Sequence, residues 1–60
     1  MTDMILPGFI VCHPEHRDWG HGQVQTVVNR RITVNFEHRG KVVVNGDVVA
    51  LEIVDDGEAR

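Results

Sequence analysis

The reactive side chains of this chain gather in one stretch, Cys12-His13-Pro14-Glu15-His16-Arg17-Asp18-Trp19-Gly20-His21-Gly22. A thiol beside imidazoles raises two chemistries, metal ligation and nucleophilic attack. Structural zinc sites use close ligand pairs such as CxxC or HxxxH, twice over. Here Cys12 and His13 are adjacent, so on a strand they point to opposite faces. His13-x-x-His16 crosses a proline turn and has no second thiolate to join it. A Cys–His nucleophile needs an acidic orienter and an oxyanion donor, and neither is evident in so short a chain. No catalytic residue, metal or cofactor is therefore expected. His13 is read instead as ordering the bend through hydrogen bonds to backbone groups. Gly20 and Gly22 do not form a phosphate loop, since the following lysine and helix are missing.

Recognition is the stronger reading of the same stretch. Paired glycines accept φ > 0, so they place the lone tryptophan at a sharply bent strand entry. Tryptophan also dominates interface hot spots. The competing reading has Trp19, one of three aromatic residues, capping one end of a small core. A methyl-lysine cage needs several aromatic faces, but Phe9 and Phe36 fall on core positions and tyrosine is absent. Arg30, Arg31, Arg39 and Lys41 sit at two hairpin tips, which a closed fold could bring into one basic patch. The partner-binding set is thus Trp19, Gly20, His21, Gly22, Arg30, Arg31, Arg39 and Lys41. Such a patch suits a protein partner or, through phosphate contacts, nucleic acid. Solvated hairpin tips are the plain alternative.

The elements that position these groups are short strands. Valine is abundant while alanine and leucine are scarce, which favours strands over helices. After Pro7-Gly8, a first strand runs from Phe9 to His13, and Pro14 ends it because proline has no N–H for the ladder. Glu15 to Asp18 read as a charged loop. Gln23 to Val28 form a second strand with Val24 and Val28 on one face, and Asn29-Arg30 make a turn. Arg31 to Glu37 alternate most clearly, with Ile32, Val34 and Phe36 facing inward. The turn His38-Arg39-Gly40 leads to Lys41–Asn45, where Val42 and Val44 continue the buried face. Gly46-Asp47 break the run, residues 48–51 read as a 3₁₀ turn, and Glu52 to Val54 form a fifth strand. The prediction is an all-β, five-stranded SH3/Tudor-like barrel over residues 6–54, with flexible termini at 1–5 and 55–60.

Size and charge narrow the function further. Sixty residues leave little room for both a core and a deep substrate cavity. The net charge of −3 supplies no overall basic field for phosphate backbones. Protonating all four histidines would turn it to +1, a change centred on the usual histidine pKa of about 6.5. A single cysteine forms no internal disulfide, which points to the reducing cytoplasm. No signal peptide or membrane-spanning segment is expected.

Several of these residues also carry a family pattern: Pro7-Gly8, Val11-x-His13-Pro14, Trp19-Gly20-x-Gly22-x-Val24, Val34-x-Phe36 and Gly40-x-x-x-Val44. From about Leu6 to Val54 the pattern resembles a family of small bacterial proteins of unknown function. More loosely, it is similar to the Tudor-like domain at the carboxy-terminus of UvrD and PcrA helicases. That resemblance implies a Tudor/SH3-like barrel and a docking role toward RNA polymerase or repair factors. This chain departs from those domains in lacking the helicase motor and in carrying Trp19 before the glycine. The expectation is a non-enzymatic protein-interaction module, docking through the set above or by strand pairing at an open edge. Weak nucleic-acid binding through the hairpin-tip arginines is the alternative, and a dimeric structural domain a third.

Overall fold

A computed structural model describes residues 5–55. Five strands follow in chain order: β1 Ile10–Cys12, β2 Gly22–Val28, β3 Arg31–Phe36, β4 Gly40–Asn45 and β5 Glu52–Asp55. A 3₁₀ turn at Arg17–Trp19 separates β1 from β2. The strands make one antiparallel sheet in the order β4-β3-β2-β1-β5. β2, β3 and β4 are joined as successive hairpins, whereas β5 crosses back to the outer side of β1. The expected all-β architecture is present. Among the described residues β4 and β5 remain the two edges, so the sheet is open.

The core lies on one face of this sheet. β3 follows its sequence alternation, burying Ile32, Val34 and Phe36, and Val11, Val24, Val44 and Leu51 complete the buried cluster. Phe9, Trp19, Val27, Val42 and Val49 pack against it. β2 departs from expectation. Its register slips between Val24 and Thr26, and a bulge of one residue reverses the alternation beyond it. Val27, opposite Ile32, therefore turns toward the core, while Val28 is 61% exposed.

Local chemistry sets the remaining joints. Asn29 adopts φ 56° in the β2–β3 turn, as its tolerance of left-handed backbone predicts. The 3₁₀ turn expected at 48–51 does not form. Asn45 supplies a different turn: its Oδ1 accepts the Asp47 N–H at 2.9 Å, and its carbonyl accepts from Val48 and Val49 at 3.0 Å. The 3₁₀ geometry falls instead in the segment read as a charged loop. The first strand is shorter than predicted, since both Phe9 and His13 lie outside β1. Of the expected flexible termini, Ile5 packs on the core and Asp55 pairs with Ile10. Residues 1–4 and 56–60, the rest of those expected termini, lie outside the described residues.

Candidate functional site

Past Pro14 the chain coils tightly. The N–H of His16 donates to the His13 carbonyl at 3.2 Å, that of Trp19 to His16 at 3.0 Å, and that of Gly20 to Arg17 at 3.1 Å. The segment then runs along the β3–β4 turn, with the His38 N–H on the Trp19 carbonyl at 2.9 Å and the Glu37 N–H on that of His21 at 3.0 Å. Gly20 makes this approach possible. Its φ is 80°, and a Cβ there would stand 2.8 Å from Glu37 Oε1 and from His38 Cδ2. Gly22 serves otherwise: it is buried beneath the Phe36 ring and has no left-handed φ. The paired glycines therefore do two jobs, one conformational and one steric.

This scaffold assembles a cluster of rings. His16 stacks on Trp19 with centroids 4.2 Å apart and planes 6° from parallel. His13 meets the indole edge-on at 5.0 Å and His16 at 4.7 Å. Phe36 lies tilted beneath at 5.2 Å from Trp19, and the Arg39 guanidinium reaches over the indole, 5.4 Å from its centroid. His13 is buried, and its Nδ1 accepts the Glu15 N–H at 3.1 Å. It thus orders the bend as expected, and that bond assigns the ring proton to Nε2. Trp19 is half-buried, packed against the core, with the exposed His16 and Arg39 side chains laid against its ring. His16, which stacks on Trp19, stood outside the expected partner-binding set. Its signal was the i, i+3 spacing to Trp19, which superimposes side chains in a 3₁₀ turn.

The predicted binding set separates into two groups. Consecutive hairpins place their tips at opposite ends of the strand they share, here β3. Arg39 lies beside Trp19, Gly20 and His21, with exposed Lys41 next along β4. Arg30 and Arg31 sit at the far end, where Arg31 opposes Asn45 and Arg30 forms an exposed ion pair with Asp47 at 2.9 Å. The single basic patch considered from sequence is absent. Gly22 is buried.

A second polar cluster joins β1, the 3₁₀ turn and β5. Arg17 pairs with Glu52 at 2.9 Å, and the Cys12 thiol donates to Glu52 Oε1 at 3.4 Å. Burial, then the hydrogen bond and charge of Glu52, push the thiol pKa up, only partly opposed by Arg17. The Arg17 hydrogen bond, followed by that from Cys12, holds the Glu52 carboxyl below its ordinary value. Cys12 thus contacts a carboxylate and a guanidinium rather than an imidazole. Among the described residues no group of three or more His, Cys, Asp or Glu converges to hold a metal ion. A groove of about 800 Å³ on the outer sheet face, between Ile10, Gln23, Asn35 and Val54, is wide open to solvent.

A family model described as a protein of unknown function, DUF3553, matches residues 5–54. The chain belongs to the DUF3553 family. The DUF3553 match begins at Ile5, which packs on the core, and ends within β5, so it takes in the whole described fold except Asp55. It bears out the expected small family of unknown function and says nothing about the helicase domain. No curated protein and no solved structure matches this DUF3553 chain. Among the described residues no helix is long and apolar enough to cross a membrane.

Proposed function

We propose that this domain is a non-enzymatic protein-interaction module that docks through Trp19, His16, Gly20, His21 and Arg39, with Lys41 at the rim. The observation that carries this reading is the half-buried indole held between core and solvent by His16 and Arg39. Tryptophan and arginine are the residue types most enriched in binding hot spots. Because the turn is fixed by backbone hydrogen bonds, docking here loses little conformational entropy. The helicase resemblance supports a cytoplasmic partner in the transcription or repair machinery, such as RNA polymerase, and a bent sheet of the SH3/Tudor type. Arg30 and Arg31 drop out of the docking set because they sit at the opposite end of β3. That separation, with the net charge of −3, also weighs against nucleic acid as the partner.

The test is binding of the protein to immobilised bacterial RNA polymerase, wild type against Arg39→Glu and His16→Ala. Both positions are exposed, so the fold should survive either change. The expected result is binding that Arg39→Glu weakens by roughly tenfold or more and that changes only modestly with salt. No binding, or equal binding by wild type and Arg39→Glu, overturns the proposal. Steeply salt-dependent binding to single- or double-stranded DNA would favour phosphate contacts instead.

A further inference from the structure

The two edges of the sheet differ in how well they are protected. β5 is four residues long, and its register on β1 is interrupted between Ile10 and Val11. It carries a carboxylate at each end, Glu52 and Asp55. Charged side chains at both ends, one of them held in the Arg17–Glu52 pair, mark β5 as a guarded edge. β4 is guarded by a single charge, Lys41. It is six residues long, pairs continuously with β3 from Phe36–Gly40 to Arg31–Asn45, and contains neither proline nor bulge. Its outer side has no partner strand among the described residues. Val43, at its centre, is 61% exposed.

From this asymmetry we infer that the domain self-associates as a two-fold dimer, β4 of one copy adding antiparallel to β4 of a second copy. The sequence of β4 is complementary to itself in one register. Centring the pairing on Val43 sets Val43 against Val43 of the second copy, and Val42 against Val44. Lys41 then faces Asn45, so the only charged residue of the strand never meets its like. Beyond the strand ends, the turn carrying Arg39 in one copy approaches the turn in which Asp47 pairs with Arg30 in the other. A two-fold axis makes this contact isologous and closes it at two copies. Alternate residues of β4 turn their N–H and C=O groups away from β3, which supplies the ladder. Five facing pairs make a small interface, so the dimer is weak and concentration-dependent.

Sedimentation equilibrium of the full chain up to about 1 mM tests this, since small interfaces fall at the weak end of affinity. The expected result is a monomer–dimer equilibrium that Val43→Lys shifts toward monomer by roughly tenfold or more, because two lysines then lie directly opposite. Asn45→Lys, which opposes Lys41, should weaken it as well, whereas Ile53→Lys on β5 should not. Amide resonances of Lys41, Val43 and Asn45 should shift with concentration in the wild-type protein, a readout independent of whether any variant folds. A wild-type monomer throughout overturns the inference. So does a dimer insensitive to Val43→Lys but broken by Ile53→Lys, or concentration shifts confined to residues outside β4.

Discussion

Replacing Gly22 with alanine probes how tightly the sheet closes over its core. Gly22 opens β2 between Val11 on one neighbouring strand and Phe36 on the other. A Cβ added there lies 2.6 Å from Phe36 Cδ1 and 2.9 Å from Cε1, with Val34 Cγ1 also in its way. Both distances are too short for carbon atoms, so the Phe36 ring must shift, and Trp19 at 5.2 Å obstructs it. Overpacking of this kind costs about 1–3 kcal/mol. Alanine also restricts the unfolded chain, which offsets about 0.4–1 kcal/mol where the backbone is compatible. The two ranges leave a net loss of up to about 2.6 kcal/mol, centred on about 1.3 kcal/mol, a large part of the few kcal/mol available to so small a domain. Each kcal/mol lowers Tm by roughly 4–8 °C at this size, so the variant should melt about 10 °C lower. Urea unfolding followed by Trp19 fluorescence should show a lower midpoint with an unchanged slope. Val34→Ala removes one of the obstructing atoms, so the double variant should lose less than the sum of the two single losses. An undiminished midpoint in Gly22→Ala, or strict additivity with Val34→Ala, refutes the steric account.

Four further outcomes are expected. His13→Ala should destabilise by about 1–3 kcal/mol in denaturant titrations, because the Glu15 N–H loses its acceptor and a buried ring is removed. Cys12, with its pKa raised by burial and Glu52, should alkylate slowly with iodoacetamide at mildly alkaline pH, and Glu52→Gln should speed the reaction. Glu52, with its pKa lowered by Arg17, stabilises the fold at neutral pH, and that contribution is lost as falling pH carries it through its folded-state pKa. Arg17→Ala should accordingly flatten the acid limb of the stability profile and raise the Glu52 NMR titration midpoint, the Cys12 hydrogen bond still holding it down in part. Asn29→Gly should be neutral or stabilising by up to about 1 kcal/mol in thermal unfolding, since glycine adopts φ 56° without strain.

Much of the architecture was legible because half-buried strands advertise themselves by alternation. Ile32, Val34 and Phe36 marked the inner face of β3, and Asn29 marked the turn before it. The β2 bulge was not legible, because inserting Gln25 between Val24 and Thr26 leaves a run that still reads as an unbroken strand. That hidden residue exchanged Val28 for Val27 at the core. The turn after β4 was misread because the Asn45 side chain accepts the Asp47 N–H, a local competition that the apolar Val48-Val49-Ala50-Leu51 run conceals. At the site, the sequence singled out Trp19, Gly20 and Arg39, which the fold brings together. It also grouped Arg30 and Arg31 with them, although β3 must hold the two hairpin tips apart. His16 was weighed only as a metal ligand, because the 3₁₀ turn that stacks it on the indole depends on contacts with the β3–β4 turn, which are remote in sequence.

The crossing of β5 to the outer side of β1 also constrains how the molecule folds. β2, β3 and β4 form by zipping neighbouring hairpins, whereas the Cys12–Glu52 contact joins residues 40 apart in sequence. Closing a loop of that length costs about 2 kcal/mol more than closing a five-residue turn, by the logarithmic scaling of loop entropy. The three-strand meander is thus the natural folding nucleus, and the β1–β5 seam is a late addition to its surface. Lesions in Ile32 or Val34 should slow folding, while lesions at Cys12, Arg17 or Glu52 should chiefly hasten unfolding. The seam that carries the thiol is, on this view, the first part of the native ladder to come undone.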